Sequence, residues 1–315
     1  MLKVALVGVG GISGAHIPAW LTMEDVELVA LCDIRPEQME KYPQIRHYTE
    51  FDCMLEQEQI DILDICLPTY LHADFAVKAM EKGIHVLCEK PLSLQEADVG
   101  RVYAAAQAAG VKVMAAQVIR FWPEYEYLKA VCDSGRYGRL LSGSMSRLGA
   151  IPGTTWDNWM HDEKRSGLVP YDLHIHDLDF LVYAFGAPNK ATAHRAKRPD
   201  QDYLCAVYEY DDFFVTVDAS WFASPYPFRM SFRFQFEQAI IAYEDNVLTV
   251  YERSGKIFQP AKAADCANQA EYTLPATNAY AEEIRYFTDC VKYDRPVKRV
   301  TPESLETVIH LLGTL

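Results

Sequence analysis

The sequence predicts an α/β protein of two domains, a doubly wound parallel sheet followed by a domain of longer strands with one buried and one open face. The length of 315 residues suits two domains, since one domain takes roughly 100 to 200 residues. Up to about residue 120, apolar strand-like runs alternate with helical stretches that end in glycine, which indicates a parallel sheet covered on both faces. After residue 140 the strands alternate polar and apolar residues, so one sheet face is buried and the other open.

Five strands are predicted in the first domain, at residues 2–7, 26–32, 61–67, 84–88 and 111–116. Pro18 lies in the expected first helix and removes a backbone hydrogen bond there, so this helix should be short or kinked. The change of pattern near residue 120 divides the chain into domains 1–120 and 121–315. The later strands include RMSFRFQFE, whose apolar residues at 230, 232, 234 and 236 face one way.

The charge and composition exclude several classes of partner. The net charge is −14 at pH 7, whereas nucleic acids and anionic membranes require clustered Lys and Arg. No segment approaches the roughly 20 apolar residues of a transmembrane helix, and the opening MLKVALVGVGG lacks the pattern of a signal peptide. The eight cysteines have no metal-binding spacing and indicate reduced thiols. We therefore expect a cytoplasmic protein that binds neither nucleic acid nor membrane.

The first motif with chemical content is GVGGIS, directly after the first strand. Gly8 permits a tight turn into a helix, and Gly10 lets the backbone approach a pyrophosphate. Ser13 occupies the third, small position, with Gly11 and Ile12 between. The helix that follows presents its free N–H groups and positive dipole end to phosphates. The motif favours a dinucleotide-binding loop, although glycine turns after strands are common.

The end of the second strand bears on the choice of dinucleotide. Asp33 lies about 20 residues beyond the glycines, where its carboxylate can accept the adenosine ribose hydroxyls and disfavour a 2′-phosphate. Arg35 lies two residues later and could bind that phosphate instead. We predict NAD as the cofactor and leave NADP open.

The second motif is HVLCEKPLS, in which a buried strand ends at Glu89 and Lys90. Ligands bind at the carboxyl ends of the strands in open α/β sheets, so this lysine is placed to reach a substrate. We assign Glu89 and Lys90 to the cofactor-binding edge. A surface lysine before a turn proline is the alternative.

The stretch LVPYDLHIHDLDF, residues 168–180, predicts an amphipathic helix. Its polar stripe is formed by Asp172, His176, Asp179 and Tyr183. Its apolar stripe is formed by Tyr171, Ile175, Leu178, Val182 and Phe185. Gly186 and Pro188 should end the helix. His174 lies about 160° around such a helix from His176, given 100° per residue, so the two rings cannot share a metal ion. We predict no metal site.

His176 is a candidate acid/base residue if the predicted dinucleotide serves in the oxidation of an alcohol. A hydride leaves the carbon for nicotinamide, and the hydroxyl proton must pass to a base that titrates near neutrality. His176 suits that role, and Asp172 can orient the imidazole one turn earlier. A solvated or core histidine is the alternative. In the preceding loop, 151–167, Trp156 and Trp159 indicate a platform for a sugar ring, or alternatively a structural lid.

Four segments together resemble the Gfo/Idh/MocA oxidoreductases, the family of glucose-fructose oxidoreductase and inositol dehydrogenase. They are GVGGIS, LPTYLHADFAVKAMEKGIHVLCEKP, AAQVIRFWPEY and SGLVPYDLHIHDLDFLVYAFG. The resemblance implies a Rossmann domain followed by an α+β domain with a large, mainly antiparallel open sheet. That sheet commonly forms dimer or tetramer contacts in the family, and RMSFRFQFE is the candidate strand to line them.

The resemblance also implies roles for individual residues. Three residues line the cofactor: Pro68, Thr69 and His72. Lys90 hydrogen-bonds the reacting hydroxyl and the nicotinamide ribose. Gln117 and Arg120 lie at the edge of the nicotinamide and substrate pocket. His176 exchanges the proton with the substrate oxygen, with Asp172 as its partner.

These observations predict an NAD(P)-dependent dehydrogenase acting on the CH–OH group of a sugar, a polyol such as an inositol, or a sugar derivative. The substrate is a small molecule, and the protein is expected to form a homodimer or homotetramer. One alternative is a redox-neutral glycosidase or epimerase that oxidises its sugar only transiently. Another is a noncatalytic NAD(P) sensor.

Overall fold

The computed structural model describes residues 1–260 and 279–315. The strands in chain order are β1 (Leu2–Val7), β2 (Val26–Cys32), β3 (Arg46–Tyr48), β4 (Ile62–Ile65), β5 (His85–Glu89), β6 (Val113–Ala116), β7 (Leu140–Ala150), β8 (Lys190–Arg198), β9 (Gln201–Glu209), β10 (Phe214–Phe222), β11 (Arg229–Phe236), β12 (Ala239–Glu244), β13 (Val247–Glu252) and β14 (Ile257–Phe258). The helices are α1 (Ser13–Leu21), α2 (Phe51–Gln57), α3 (His72–Met80), α4 (Glu96–Ala109), α5 (Pro123–Ser134), α6 (Glu163–Ser166), α7 (Ile175–Phe185), α8 (Ala279–Lys292) and α9 (Pro302–Gly313).

The described chain divides into two compact units. The first contains residues 1–118 and 279–306, and the second contains residues 119–260 and 307–315. The division after residue 118 lies close to the predicted boundary at 120. The prediction placed residues 121–315 in the second domain, whereas residues 279–306 belong to the first unit.

Helix α8 explains this difference. It packs against α1 and β5 of the first unit, with Ile284 and Phe287 fully buried, and its Arg285 pairs with Asp25. The amphipathic period of the segment 277–292 predicts a packed helix, and residues 277 and 278 of that segment lie outside the described residues. The period reveals the buried face but cannot reveal which sheet covers it.

The first unit has a parallel sheet of order β3-β2-β1-β4-β5-β6 in the described residues. All five predicted strands are present, although β4 and β6 are shorter than predicted. Strand β3 was not predicted from the sequence, because it has three residues and none of them is buried. Strands β4 and β6 are buried along their whole length, as expected for a sheet covered on both faces. Helix α1 is short, with nine residues, and continues through Pro18.

The second unit has a sheet of order β14-β13-β12-β11-β7-β10-β9-β8 in the described residues. Its neighbouring strands run antiparallel, except that β7 and β10 are parallel. The predicted alternation in β11 is confirmed, with the even-numbered residues 230–236 buried and Arg233 and Gln235 exposed. Strand β11 lies inside the sheet between β12 and β7, so it presents an open face and not an edge. Strands β12, β13 and β14 were not predicted.

Two further observations concern the chain as a whole. None of the helices formed by residues 1–260 and 279–315 combines the length and apolar character needed to cross a membrane. The seven cysteines within those residues are free thiols. Cys266 lies outside the described residues.

Candidate active site

The glycine loop after β1 has the shape that its sequence predicts. Gly8 has a φ of +91°, and a Cβ atom there would lie 2.6 Å from the backbone oxygen of Cys66, so only glycine fits. A Cβ atom on Gly10 would meet no atom within 4 Å. Ser13 is buried and donates its hydroxyl hydrogen to the Gly10 carbonyl at 2.6 Å. The loop thus leads into α1 with one side open, which fits a pyrophosphate at a helix N-terminus.

Asp33 lies beside this loop, directly after β2. Its Oδ2 accepts a hydrogen bond from the Val9 backbone N–H at 2.8 Å. Its Oδ1 accepts from the Arg35 backbone N–H at 2.9 Å and from Arg35 Nε at 3.3 Å. The carboxylate is therefore held in place next to the phosphate loop, where it fits the ribose of an NAD molecule.

The other strand ends lie on the same edge of the sheet, since the strands are parallel. Pro68 follows β4, Lys90 follows β5, and Gln117 follows β6. Thr69 and Gln117 are buried, whereas Lys90 is half-buried. The fold thus brings the predicted residues of the first unit to the carboxyl edge, the ligand-binding edge of open α/β sheets.

His72 is buried and lies between two backbone carbonyls. Its Nδ1 is 2.7 Å from the oxygen of Pro91, and its Nε2 is 2.7 Å from the oxygen of Leu67. Burial lowers the pKa of His72, and the hydrogen bonds to the Pro91 and Leu67 carbonyls oppose that shift. His72 therefore connects the loop after β4 to the loop after β5.

A buried cluster around His16 was missed by the sequence analysis. His16 Nδ1 lies 2.8 Å from Asp64 Oδ2, and His16 Nε2 lies 2.9 Å from Glu89 Oε1. Trp20 Nε1 donates to Asp64 Oδ2 at 2.6 Å. The second oxygen of Glu89 accepts from the backbone N–H of Lys90 at 2.9 Å. The sequence carried one signal, a carboxylate inside the apolar strand ILDI.

The charges within this cluster follow from its geometry. An ionised carboxylate only accepts hydrogen bonds, so both ring nitrogens of His16 must donate, and the ring is an imidazolium. Burial alone would lower the pKa of His16, but the carboxylate of Asp64 raises it well above its usual value. Burial alone would raise the pKa of Glu89, but His16 and Lys90 together lower it.

His16, Asp64 and Cys66 are also the one group in the described residues whose spacing could hold a metal ion. The 2.8 Å separation of His16 and Asp64 is that of a direct hydrogen bond. Burial and the nearby Asp64 raise the pKa of the Cys66 thiol to about 12, so the thiol is protonated at neutral pH in this hydrogen-bonded arrangement. The cluster is a network of hydrogen-bonded charged side chains.

In the second unit, the predicted helix over the segment LVPYDLHIHDLDF is confirmed. Residues Pro170–His174 form a π-helical turn that continues into α7, and Gly186 ends the helix. Such turns are rare and occur frequently at functional sites. Asp172 lies in the π-helical turn and His176 in the first turn of α7, and both are half-buried.

Asp179 departs from the predicted polar stripe. It is fully buried and binds Arg120, whose Nε and Nη2 donate to its two oxygens at 2.7 and 2.6 Å. The Arg120 guanidinium also stacks 4.9 Å from the ring centre of Tyr183. Arg120, which the resemblance placed at the substrate pocket, is thus 2 % exposed and fixes α7. The stripe pattern could not show this, because an arginine of another segment neutralises the carboxylate.

Asp177 forms a second buried ion pair on the same helix. Arg147 Nη2 donates to Asp177 Oδ1 at 2.8 Å and also lies 3.2 Å from the hydroxyl of Tyr125. Two arginines therefore hold α7 through Asp177 and Asp179. His174, in the preceding turn, is buried, and its Nε2 lies 2.7 Å from the Tyr208 hydroxyl. Burial lowers the pKa of His174 to about 3, so this ring is neutral.

The loop before α7 is ordered by ion pairs. Trp156 and Trp159 are half-buried and lie in a 3-10 segment that runs from Trp156 to His161. Between them, Asp157 and Asn158 have positive φ values of 47° and 50°, a conformation that costs energy for residues other than glycine. Arg165 donates to the Asp157 carboxylate at 2.7 Å and to the Asp157 carbonyl at 2.9 Å.

Comparison with known proteins identifies the family. Residues 2–117 match the sequence model described as "Oxidoreductase family, NAD-binding Rossmann fold". Residues 125–242 match the model described as "GFO/IDH/MocA C-terminal domain". The chain belongs to the Gfo/Idh/MocA family. The predicted family, its two-sheet fold and NAD as cofactor are thereby confirmed.

Individual relatives share about 30 % sequence identity with this chain. D-apiose dehydrogenase of Paraburkholderia graminis is 30 % identical over 195 residues, which are 61 % of this chain and 52 % of that protein. 2,7-Anhydro-N-acetylneuraminate hydratase of Escherichia coli is 29 % identical over 195 residues, which are 59 % and 50 % of the two chains. The match thus spans about half the length of these curated relatives.

A solved structure covers nearly the whole chain. An oxidoreductase from Agrobacterium radiobacter, in complex with NAD+, L-tartaric acid and magnesium, has a TM-score of 0.84. The comparison covers 99 % of this chain and 94 % of that one at 19 % identity, which supports the fold alone.

Proposed function

We propose that this family member is an NAD-dependent dehydrogenase that oxidises a hydroxyl group of a sugar, a polyol or a sugar derivative. The observation that carries the proposal is the position of Lys90. It directly follows β5, at the same sheet edge as the glycine loop and Asp33, and its backbone N–H is fixed by Glu89. The name of the D-apiose dehydrogenase supports the substrate class.

We infer the following roles for the side chains. Gly8, Gly10 and the start of α1 hold the pyrophosphate, and Asp33 accepts the ribose hydroxyls. When bound, NAD supplies a nicotinamide ring that takes up a hydride. Lys90 donates a hydrogen bond to the reacting hydroxyl and thereby holds it for reaction. His176 accepts the hydroxyl proton.

Further residues are assigned to the substrate. Asp172 orients His176 or accepts a second substrate hydroxyl. The indole faces of Trp156 and Trp159 stack on the C–H face of a sugar ring. Arg120 lies at the edge of the nicotinamide and substrate pocket that the resemblance implies, and it fixes α7 through Asp179.

The test is a screen of sugars and polyols with NAD and NADP, in which the absorbance of the reduced nicotinamide measures the reaction. On the substrate found, Lys90→Met and His176→Ala should each lower kcat by about 100-fold or more, within the range of general acid–base effects. NAD affinity, measured by calorimetry, should change little. Lys82→Met serves as a control, since Lys82 is exposed. Wild-type turnover in both active-site variants would refute the assignment.

A redox-neutral reaction through transient oxidation is the second candidate, because one relative is named a hydratase. Lys90 and His176 would have the same roles in its oxidation step. This reaction would consume sugar without a net change in nicotinamide absorbance, while NAD stays bound through repeated turnovers. Product analysis by mass spectrometry distinguishes the two candidates.

We also propose that the protein is a cytoplasmic homodimer or homotetramer. The open face of the eight-stranded sheet, on which Arg233 and Gln235 of β11 are exposed, is the proposed contact surface. The free thiols of the described residues support a reducing compartment. Ser144 of β7 lies on this face between β10 and β11, opposite Thr216 and Arg233. Ser144→Glu should lower the mass measured by light scattering to that of the monomer.

A further inference from the structure

We propose that His16 is a positioning residue for Lys90. The imidazolium of His16, which belongs to helix α1, binds Glu89 at the end of β5. It thereby connects α1 to the strand end that Lys90 directly follows. The inference rests on the proposed function, since it takes Lys90 as the group that contacts the reacting hydroxyl.

The connection between His16 and Lys90 runs through two hydrogen bonds. His16 Nε2 donates to Glu89 Oε1 at 2.9 Å, and the other oxygen, Glu89 Oε2, accepts from the Lys90 backbone N–H at 2.9 Å. The carboxylate of Glu89 is thus occupied on both sides. Any rotation of Glu89 would break one of the two bonds, so the start of the Lys90 segment is fixed relative to α1.

The second ring nitrogen fixes the orientation of the imidazolium itself. His16 Nδ1 donates to Asp64 Oδ2 at 2.8 Å, and Trp20 holds the same oxygen at 2.6 Å. Asp64 belongs to β4, the strand between β1 and β5 in the sheet. His16 therefore spans two neighbouring strand ends at once, and the exposed fraction of its side chain is 0 %.

The composition of the cluster favours positioning over stability. Burying ion pairs commonly contributes little net stability compared with apolar residues of similar size. Three ionised side chains are nevertheless enclosed here, beneath the edge of the sheet that carries the glycine loop. Hydrogen bonds between these side chains fix their orientation, because each N–H of His16 points at one carboxylate. Apolar residues could not fix an orientation in this way. A misplacement of about 1 Å at a reacting group can reduce a rate by about 100-fold.

The first test is Glu89→Gln in the full-length protein. The amide has nearly the same size, but its single oxygen cannot replace both carboxylate oxygens. We expect kcat to fall at least tenfold, while the Kd for NAD and the KM for substrate stay within about threefold of wild type. The matched control is Glu58→Gln, another carboxylate with a nearly buried side chain in the same unit, which bonds Tyr48 and Arg46. That control should leave kcat unchanged.

The second test is His16→Gln, which offers one amide group where the ring offered two donors. We expect the same pattern, a loss in kcat with KM nearly preserved. Urea unfolding identifies a variant that fails to fold, and Glu89→Gln then carries the test alone. If Glu89→Gln loses stability but keeps the wild-type kcat, the cluster is merely structural and the proposal is wrong.

Lys90→Met separates this proposal from the proposed function. If Lys90→Met retains wild-type turnover, the role of Lys90 itself fails. If Lys90→Met is inactive while Glu89→Gln and His16→Gln keep full kcat, only the positioning role of His16 is refuted.

Discussion

The Nε2 atom of His174 lies 2.7 Å from the hydroxyl oxygen of Tyr208, and both side chains are fully buried. The helical period places His174 away from His176, and the structure shows what it packs against instead. Burial lowers the pKa of His174 to about 3 and raises that of Tyr208. The pair is therefore a neutral hydrogen bond inside the second unit.

This pair predicts a pH dependence of folding stability. The unfolded chain protonates His174 below about pH 6.5, whereas the folded state keeps the ring neutral down to about pH 3. The unfolded state then binds the extra proton, so stability falls as the pH drops through this window. The loss is at most about 1.4 kcal/mol per pH unit.

The measurement is urea unfolding of wild type and His174→Gln at several pH values between 4 and 7. Because glutamine does not titrate, the wild-type curve should fall more steeply than that of the variant as the pH decreases. Two parallel curves would contradict a neutral buried His174.

The buried pair of Arg120 and Asp179 predicts a large effect on stability. Arg120→Met leaves the Asp179 carboxylate buried without its guanidinium, so the free energy of unfolding should fall by about 3–5 kcal/mol. The double variant Arg120→Met/Asp179→Leu removes both charges and should recover most of that loss.

Urea unfolding checks this prediction, with Lys190→Met as the matched control. The pair of Lys190 and Glu209 is exposed, with exposed side-chain fractions of 65 % and 46 %, so its loss should cost less than about 1 kcal/mol. A double Arg120/Asp179 variant as unstable as the sum of its two single variants would show that the charges do not depend on each other.

The glycine loop predicts opposite results for two substitutions of the same kind. Gly8→Ala places a Cβ atom 2.6 Å from the Cys66 carbonyl oxygen at a φ of +91°. The free energy of unfolding should therefore fall by about 2 kcal/mol or more. Gly10→Ala meets no atom within 4 Å, so the protein should fold normally.

The added methyl group of Gly10→Ala does, however, fill the open side of the loop. NAD affinity measured by calorimetry should fall by about tenfold or more, equivalent to about 1.4 kcal/mol. Unchanged NAD affinity in Gly10→Ala would place the pyrophosphate elsewhere.

Asp33 and Arg35 predict the preference between NAD and NADP. The fixed carboxylate of Asp33 repels a 2′-phosphate and binds the guanidinium of Arg35. Asp33→Ser removes the charge and releases Arg35 to bind the phosphate. The ratio of kcat/KM for NAD over NADP should therefore fall on the order of 100-fold.

Steady-state kinetics with both cofactors checks this prediction. The double variant Asp33→Ser/Arg35→Ala should lose the gained activity with NADP, because no cation then faces the 2′-phosphate. If the double variant uses NADP as well as Asp33→Ser does, another residue binds that phosphate.

Local patterns account for what the sequence determined. Apolar runs and glycine turns predicted β1, β2, β4, β5 and β6 and placed Lys90 at a strand end. The helical period predicted α7 and separated His174 from His176. These features depend on residues close in the chain, whose spacing fixes which side of a strand or helix each occupies.

Pairing between distant residues was decided by the tertiary structure alone. His16 meets Asp64 and Glu89 across 48 and 73 residues, and Arg120 meets Asp179 across 59. A periodic pattern counts every carboxylate as polar, whether it is buried or not, so Asp179 was assigned to the polar stripe. Only the packing of elements around it supplies the cation that makes burial possible. Helix α8 joined the first unit for the same reason: its period defines an apolar face but not the elements that cover it.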